Sequence, residues 1–315
     1  MTALAPALPR LWPAYLLLLA VGAAWGLTTP LVKIATSHGH PALSIALWQA
    51  AMTVIVLGAV QAARGRLHRT PRDWPSVRLY LVFGLFGLAL PQWASFTGTT
   101  HLPAGIMSIV ISLVPIFALP LALALGTERF SARRLAGVAL GAAAIVMLTA
   151  PGASLPEPGL WVWVLVGALA PLFYAFEGAY VAASRAPGAG PFQLLWAASV
   201  VATFALIGLN LAFGGFRSPL GGFGRGELAV VAAGGLSMVA FAGYITLLQR
   251  WGAVFGAQVA YTVTGCGIVW AMIILGERYP SMVWAALAVL FAGLFLVQPR
   301  RGTAAAVEVV TNARP

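Results

Sequence analysis

Charge is what this 315-residue chain has least of: 8% of its residues are Asp, Glu, Lys or Arg, and 61% are hydrophobic. A soluble domain carries about a quarter charged residues. A water-facing surface is therefore excluded for most of the chain, and lipid is its solvent. Cysteine is nearly absent as well. The single Cys266 excludes an intrachain disulfide and any cysteine-based metal site. No Gly-x-x-x-x-Gly-Lys-Ser/Thr loop is present, so this chain hydrolyses no ATP. No Gly-x-Ser-x-Gly elbow of a serine hydrolase is present either. His38, His40, His68 and His101 fall in loops or at helix ends, without the clustered acids that metal or acid–base chemistry needs. His38 and His40, in "SHGH", read as solvated loop, with a surface metal contact as the alternative. The chain is not read as an enzyme, and no cofactor or metal is expected.

The few charges present are mostly basic, for a net charge of +11. They lie between apolar runs rather than along one soluble face, which excludes nucleic acid as the partner and makes them topology signals. Ten apolar segments approach the roughly 20 residues that a bilayer core demands. They run from about Trp12 to Ala35, Ala42 to Ala63, Leu79 to Gly98, Pro103 to Leu125, Leu135 to Thr149, Leu160 to Ala183, Phe192 to Phe213, Leu228 to Leu248, Ala253 to Leu275 and Met282 to Val297. The fold class is thus an all-α integral membrane protein. Arg10 followed by "LLLLAVGAA" fits a signal peptide in outline. The apolar run continues to about Ile34, so a retained first helix is expected, with signal peptide as the alternative.

With the N-terminus in the cytoplasm, fourteen arginines (Arg10, Arg64, Arg66, Arg69, Arg72, Arg78, Arg129, Arg133, Arg134, Arg185, Arg250, Arg300, Arg301 and Arg314) fall inside and three (Arg217, Arg225 and Arg278) outside. That asymmetry places both termini in the cytoplasm of a bacterial-type inner membrane. The chain also repeats. "GTERF" recurs as "LGERY", with Glu128 and Glu277 149 residues apart. The halves align as five helices each. Five is odd, so they enter the membrane with opposite orientation, as inverted repeats of secondary transporters do. Residues 1–150 form the first repeat, 151–299 the second, and 300–315 a polar, disordered cytoplasmic tail. Duplication without a transport role is the alternative.

The residues "WGLTTPLVK" of the first segment (Trp25, Gly26, Lys33), "SLVPIFALPLALALGTER" of the fourth and "LGER" after the ninth, in this order and spacing, resemble the EamA-like ten-helix exporters of the drug/metabolite transporter superfamily. The likeness covers about residues 15–299. It departs from the family at Pro115, which has no counterpart in the ninth segment, and at "ALWQAAM", where an arginine–aromatic pair is often found. The resemblance implies a carrier that exports a small molecule without ATP hydrolysis. It does not fix the substrate, since members handle amino acids, other metabolites and drugs.

One acid, Glu177, lies inside a core segment. A carboxylate in lipid costs a few kcal/mol even on lenient scales, so it must face the bundle interior or a wet cavity. At helical spacing, Phe173, Tyr174, Glu177, Tyr180 and Val181 share one side, and Ala168, Ala175, Ala179 and Ala182 the other. The aromatic side suits a cavity wall that can host a cation. Glu177 can bind a substrate ammonium, exchange protons, or serve a structural hydrogen bond to a neighbouring helix. The 149-residue offset sets Thr28 opposite Glu177. Trp25, Trp48, Gln49, Trp93, Phe96, Tyr244 and Tyr261 complete the candidate substrate site, with Gln92, Thr262 and Thr264 as polar neighbours on the same segments. Taken singly, the aromatics read as lipid-interface anchors or core packing. Taken together, they outline an apolar, aromatic-lined cavity. Lys33 is expected to snorkel to the outer surface, and Glu128 and Glu277 to cap helices or pair with loop arginines. Pro30, Pro91, Pro115, Pro120 and Pro171 are expected to kink their helices.

The function expected is secondary active export of an amino acid or an amphipathic amine or drug by alternating access, with proton coupling as one driver. A passive channel or an intramembrane enzyme is the alternative. The partners expected are a small-molecule substrate and the bilayer, with the chain acting as a monomer.

Overall fold

A computed structural model describes residues 12–67, 70–124, 126, 130–149, 155, 157, 159–183, 190–213, 215–251 and 258–297. Arg10, His68, Arg69, Glu128, Arg129, Arg185 and the tail containing Arg300, Arg301 and Arg314 lie outside the described residues. Among the described residues the structure is helical throughout, with no strand. In a solvent without hydrogen-bonding groups every peptide N–H and C=O must bond within its own segment, which leaves helices as the answer for such apolar runs.

Eight helices are long and apolar enough to cross a bilayer: α1 (Trp12–Ser37), α2 (Ala42–Ala63), α3 (Trp74–His101), α4 (Ala104–Ala124), α5 (Ala132–Thr149), α6 (Trp161–Ala183), α7 (Pro191–Phe213) and α8 (Arg225–Trp251). Two shorter apolar helices follow, α9 (Val259–Leu275) and α10 (Ser281–Val297). Short connections make consecutive helices antiparallel. One face of the bundle therefore carries the α1–α2, α3–α4, α7–α8 and α9–α10 loops; it is called here the first-loop face. The opposite, arginine face carries Arg64, Arg66 and Arg72.

Prolines shape the helices as their chemistry requires. Pro30, Pro120 and Pro171 sit inside helical segments. Pro91 would clash with the carbonyl four residues back, and α3 widens into a π-helical turn at Phe83–Ala89 just before it. Pro115 follows a break at Ser112 and Leu113 that divides α4 into Ala104–Ile111 and Val114–Ala124.

Packing relies on small residues, because apolar side chains gain nothing by leaving lipid for one another. The longest contacts of α1 are with α8 and α9, and α5 lies along α10. In the latter pair, a Cβ at Gly137 would lie 2.7 Å from the Gly293 carbonyl oxygen. A large apolar core joins α4, α5, α6, α9 and α10 around Ile106, Met107, Leu148 and Leu290. Smaller clusters lie between α1, α2 and α8, between α2, α3 and α7, and between α1, α8 and α9.

The first-loop face is tied by polar groups. Lys33 does not snorkel to the surface. Its ammonium donates to the carbonyls of Thr99 (3.0 Å), Thr100 (3.0 Å) and Leu102 (2.9 Å), at the C-terminal end of α3. The Glu277 carboxylate accepts the N–H groups of Ala104 (2.7 Å) and Gly105 (3.1 Å), the first turn of α4, so it caps a helix. The Tyr279 hydroxyl donates to the same carboxylate. Burial first, then Glu277, pushes that hydroxyl well above its ordinary value and keeps it a donor.

His40 is buried rather than solvated, with its Nε2 3.4 Å from Glu227 Oε1. Arg217 reaches the same carboxylate and donates to the His38 carbonyl at 3.0 Å. Burial, then the Arg217 guanidinium, holds the His40 imidazole below its ordinary value, against the opposing pull of Glu227; His38 adds slightly to the lowering. A depressed folded pKa means stability that is present above the unfolded pKa of about 6.5 and lost as the pH falls toward the folded one. The melting temperature of the wild type is accordingly expected to fall faster below pH ~6.5 than that of His40→Gln. Parallel curves for the two proteins would remove His40 as the cause.

Candidate functional site

The residues around Glu177 come from four helices. Glu177 lies six residues before the end of α6 at Ala183, about 9 Å along the axis at 1.5 Å per residue. Its side chain rests on the π-helical turn of α3: a Cβ built at Gly87 would lie 2.9 Å from the Glu177 Cγ. A side chain at position 87 would push the Glu177 side chain from its place, and the π turn just before Pro91 supplies the widened backbone on which it rests. Phe86 of the same turn meets Phe173 and Phe176 of α6, with ring centroids 6.0 and 4.8 Å apart.

Across from α6, Trp25 of α1 packs on Tyr244 (5.5 Å between centroids) and Phe241 (6.4 Å) of α8. The Glu177 charge is within electrostatic reach of the Tyr244 and Tyr174 hydroxyls. Glu177, Trp25, Tyr174 and Tyr244 are all half-buried. No ion pair among the described residues involves Glu177. The arrangement is a carboxylate beside aromatic rings and phenol hydroxyls, which can hold a cationic group over ring faces.

Toward the first-loop face stand two amides. Gln49 of α2 is 4% exposed, and its Nε2 donor is buried without a partner among the described residues. The Oε1 acceptor of Gln92 on α3 is likewise buried and unpartnered among the described residues. A buried polar atom of this kind ordinarily finds a partner, so these two offer one donor and one acceptor that the described residues leave unused.

The other candidate residues are placed as follows. The Thr28 hydroxyl donates to the carbonyl of Trp25 in its own helix at 2.6 Å. The Trp48 indole N–H donates to the Arg217 carbonyl at 2.9 Å and its ring leans on Phe216, so this tryptophan belongs to the loop contacts of the first-loop face. Phe96 packs with the apolar clusters between α1, α2, α3, α7 and α8. Tyr261 packs edge-on against Phe291 of α10, at 5.4 Å, in the large core. Trp93 and Tyr180 are half-buried. The structure therefore gathers Trp25, Tyr174, Glu177 and Tyr244 at one place and directs Trp48 and Tyr261 elsewhere. Phe86, Gly87 and Phe241 are added. The sequence signal for the first two was "FGLFGLALP", glycines spaced three apart just ahead of a proline inside a span.

A separate cavity of about 580 Å³ opens on the arginine face, lined by Thr70, Arg72, Tyr80, Trp196 and Val200 among others. None of the residues grouped around Glu177 lines it. Among the described residues no group of three or more His, Cys, Asp or Glu side chains could hold a metal ion.

Comparison with known proteins gives a consistent picture. The EamA-like transporter family matches residues 12–150. The uncharacterized inner membrane transporter YedA of Escherichia coli (strain K12) is 25% identical over 291 residues, 91% of each chain. A probable terminal-alkyne amino-acid exporter of Streptantibioticus cattleyicolor is 24% identical over 284 residues, 88% of this chain and 90% of the relative. One protein of known crystal structure superposes with a TM-score of 0.60 at 19% identity, over 90% of this chain and 96% of its own; that likeness speaks to the fold alone.

Proposed function

We propose that this chain, whose residues 12–150 match the EamA-like transporter family and which is similar over about nine-tenths of its length to an inner membrane transporter and a probable amino-acid exporter, is a secondary carrier exporting a small amine-bearing metabolite from the cytoplasm. In this reading α1 to α10 are ten spans in two inverted five-helix repeats, with both termini cytoplasmic and the arginine face inside. Each half has a left-handed glycine at φ 68° just ahead of its glutamate, Gly126 two residues before Glu128 and Gly276 one residue before Glu277, so the two turns correspond in kind but are one residue out of register at the 149-residue offset.

The observation that carries the reading is Glu177: a half-buried carboxylate between four helices, without an ion-pair partner among the described residues, beside Trp25, Tyr174 and Tyr244. A binding site at the junction of the halves is where alternating access would put it. The substrate's ammonium sits against Glu177 and the rings, and its apolar body against Phe86 and Phe241. The relative named as an amino-acid exporter favours an amino acid among such amines. Proton exchange at Glu177 gives the driving force a route, because a carboxylate that must neutralise to move can trade a proton for the cation.

The test is a ligand panel of apolar and aromatic amino acids, polyamines, nucleosides and cationic drugs, read by thermal shift on the purified wild type and on Glu177→Gln. One amine class is expected to stabilise the wild type, and to lose at least about 10-fold in affinity in the variant, the change that 1.4 kcal/mol produces. Equal binding by both proteins would remove Glu177 from the substrate site. Flux in proteoliposomes separates a carrier from a passive facilitator: only a coupled carrier concentrates the ligand when an inward or outward proton gradient is imposed.

A further inference from the structure

We infer that Glu277, seated on the first turn of α4, and Lys33, seated on the last turn of α3, form the latch that closes the first-loop face and releases it during transport. The inference rests on the carrier reading above.

The α3–α4 turn is held between two opposite charges. The C-terminus of α3 presents bare carbonyls and the negative end of its dipole; the N-terminus of α4 presents bare N–H groups and the positive end. Lys33 meets the first with all three of its donors. Glu277 meets the second with both of its oxygens. The two charges are also close enough to act on each other. Gly276 makes the reach possible. It ends α9 in the left-handed conformation, φ 68°, which costs glycine little and other residues more. The next residue is thereby turned across toward α4.

Three features make this a latch rather than a plain structural tie. First, it joins the two halves of the chain. Lys33, α3 and α4 belong to residues 12–150; Glu277 and Tyr279 come from the α9–α10 connection. Second, it is made of charge-assisted hydrogen bonds at the rim, where Glu277 is only half-buried and Thr100 and Arg278 are exposed. Of the groups it bonds, those of Thr99, Leu102 and Ala104 are buried while the face is closed, so water must reach them as the bonds part if release is to leave none unpaired. Third, the contacts just beneath it are small. Gly105 lies against the Tyr279 hydroxyl, and a Cβ at Gly267 of α9 would lie 2.5 Å from the Ser108 Oγ of α4. At this level the two helices meet through Gly and Ser, with little side-chain volume to disengage, while the interlocked side chains around Ile268 lie in the large core deeper in the bundle.

The experiment uses Ser108→Cys in a Cys266→Ala background, giving one thiol directly under the latch. Ser108 is buried, at 3% exposure. Reaction with a membrane-impermeant thiol reagent is measured in proteoliposomes, well below the melting temperature and without substrate. With the latch intact, labelling is expected to be slow. Adding Glu277→Gln, which keeps the shape and removes the charge, is expected to speed labelling by at least about 10-fold, as a loss of 1.4 kcal/mol from the closed state would. Adding Tyr279→Phe instead, which removes one bond and keeps the ring, is expected to give a smaller rise; it carries the test if the first variant does not fold. Unchanged labelling in a folded variant overturns the latch, even if the melting temperature drops, because a merely structural tie lowers stability without opening the face. This readout needs no ligand. The latch can therefore fail while amine binding at Glu177 stands, and the reverse.

Discussion

Gly26→Ala is expected to cost about 3 kcal/mol, the top of the usual range for overpacking a well-packed core, and to deplete folded protein in detergent. The reason is backbone contact. A Cβ at Gly26 would lie 2.7 Å from the Gly267 nitrogen, 2.9 Å from the Val263 carbonyl oxygen and 3.0 Å from the Cys266 Cβ. Two of those three atoms are main chain and cannot rotate away. The methyl can be accommodated only by moving α1 off α9, one of its two longest packing partners. That movement reaches the site, because Trp25, the residue before Gly26, is the α1 wall against Tyr244. A control sits on the same helix pair: Gly265 has nothing among the described residues within 4 Å of its built Cβ, so Gly265→Ala is expected to be near neutral, or slightly stabilising through helix propensity. Comparing the monodisperse yield and melting temperature of the two variants checks the claim. Equal behaviour would mean that the α1–α9 contact is looser than the geometry indicates.

Lys33→Met is expected to be the second large effect, about 3 kcal/mol of stability, the upper part of the range for one hydrogen bond to a charged group. The variant keeps the aliphatic stem and its packing. It leaves three carbonyls at the end of α3 without their donor, and Glu277 without its nearby cation. Lys33→Arg is not expected to restore the loss. The three acceptors converge on one point, which suits a compact ammonium with three rotatable donors, whereas a guanidinium spreads its donors in a planar fork. Thermal melting of wild type, Lys33→Met and Lys33→Arg decides this. Full rescue by arginine would show that charge alone is required and that the convergent geometry is not.

Much of the architecture is determined by composition and patterning. The low charge points to lipid, where helices and closed barrels can span, and the continuous apolar runs lack the alternation of a barrel strand, which leaves helices. The helix boundaries read from hydrophobicity fall within a few residues of the observed ones for α1, α2, α6 and α7, because polar and glycine-rich connections end the runs abruptly. The isolation of Glu177 is equally legible: an acid in a span is costly wherever the chain folds, so its importance does not depend on tertiary detail.

The rest is decided by which helices meet. Trp48 and Trp25 are both tryptophans in apolar runs, and nothing local tells them apart; the α7–α8 loop brings a carbonyl to one, and α8 brings Tyr244 to the other. Tyr261 carries the same signal as Tyr244, yet α10 covers it. Lys33 reads as a snorkelling surface cation because its acceptors lie about 66–69 residues further along the chain, invisible to any local rule. Gly87 reads as one more small residue of a span until α6 lays Glu177 across it. Sequence fixes what each segment must be, since lipid exclusion and backbone bonding act on every segment separately. Tertiary packing alone assigns partners to the polar groups, because a side chain's role depends on atoms contributed by helices remote in sequence.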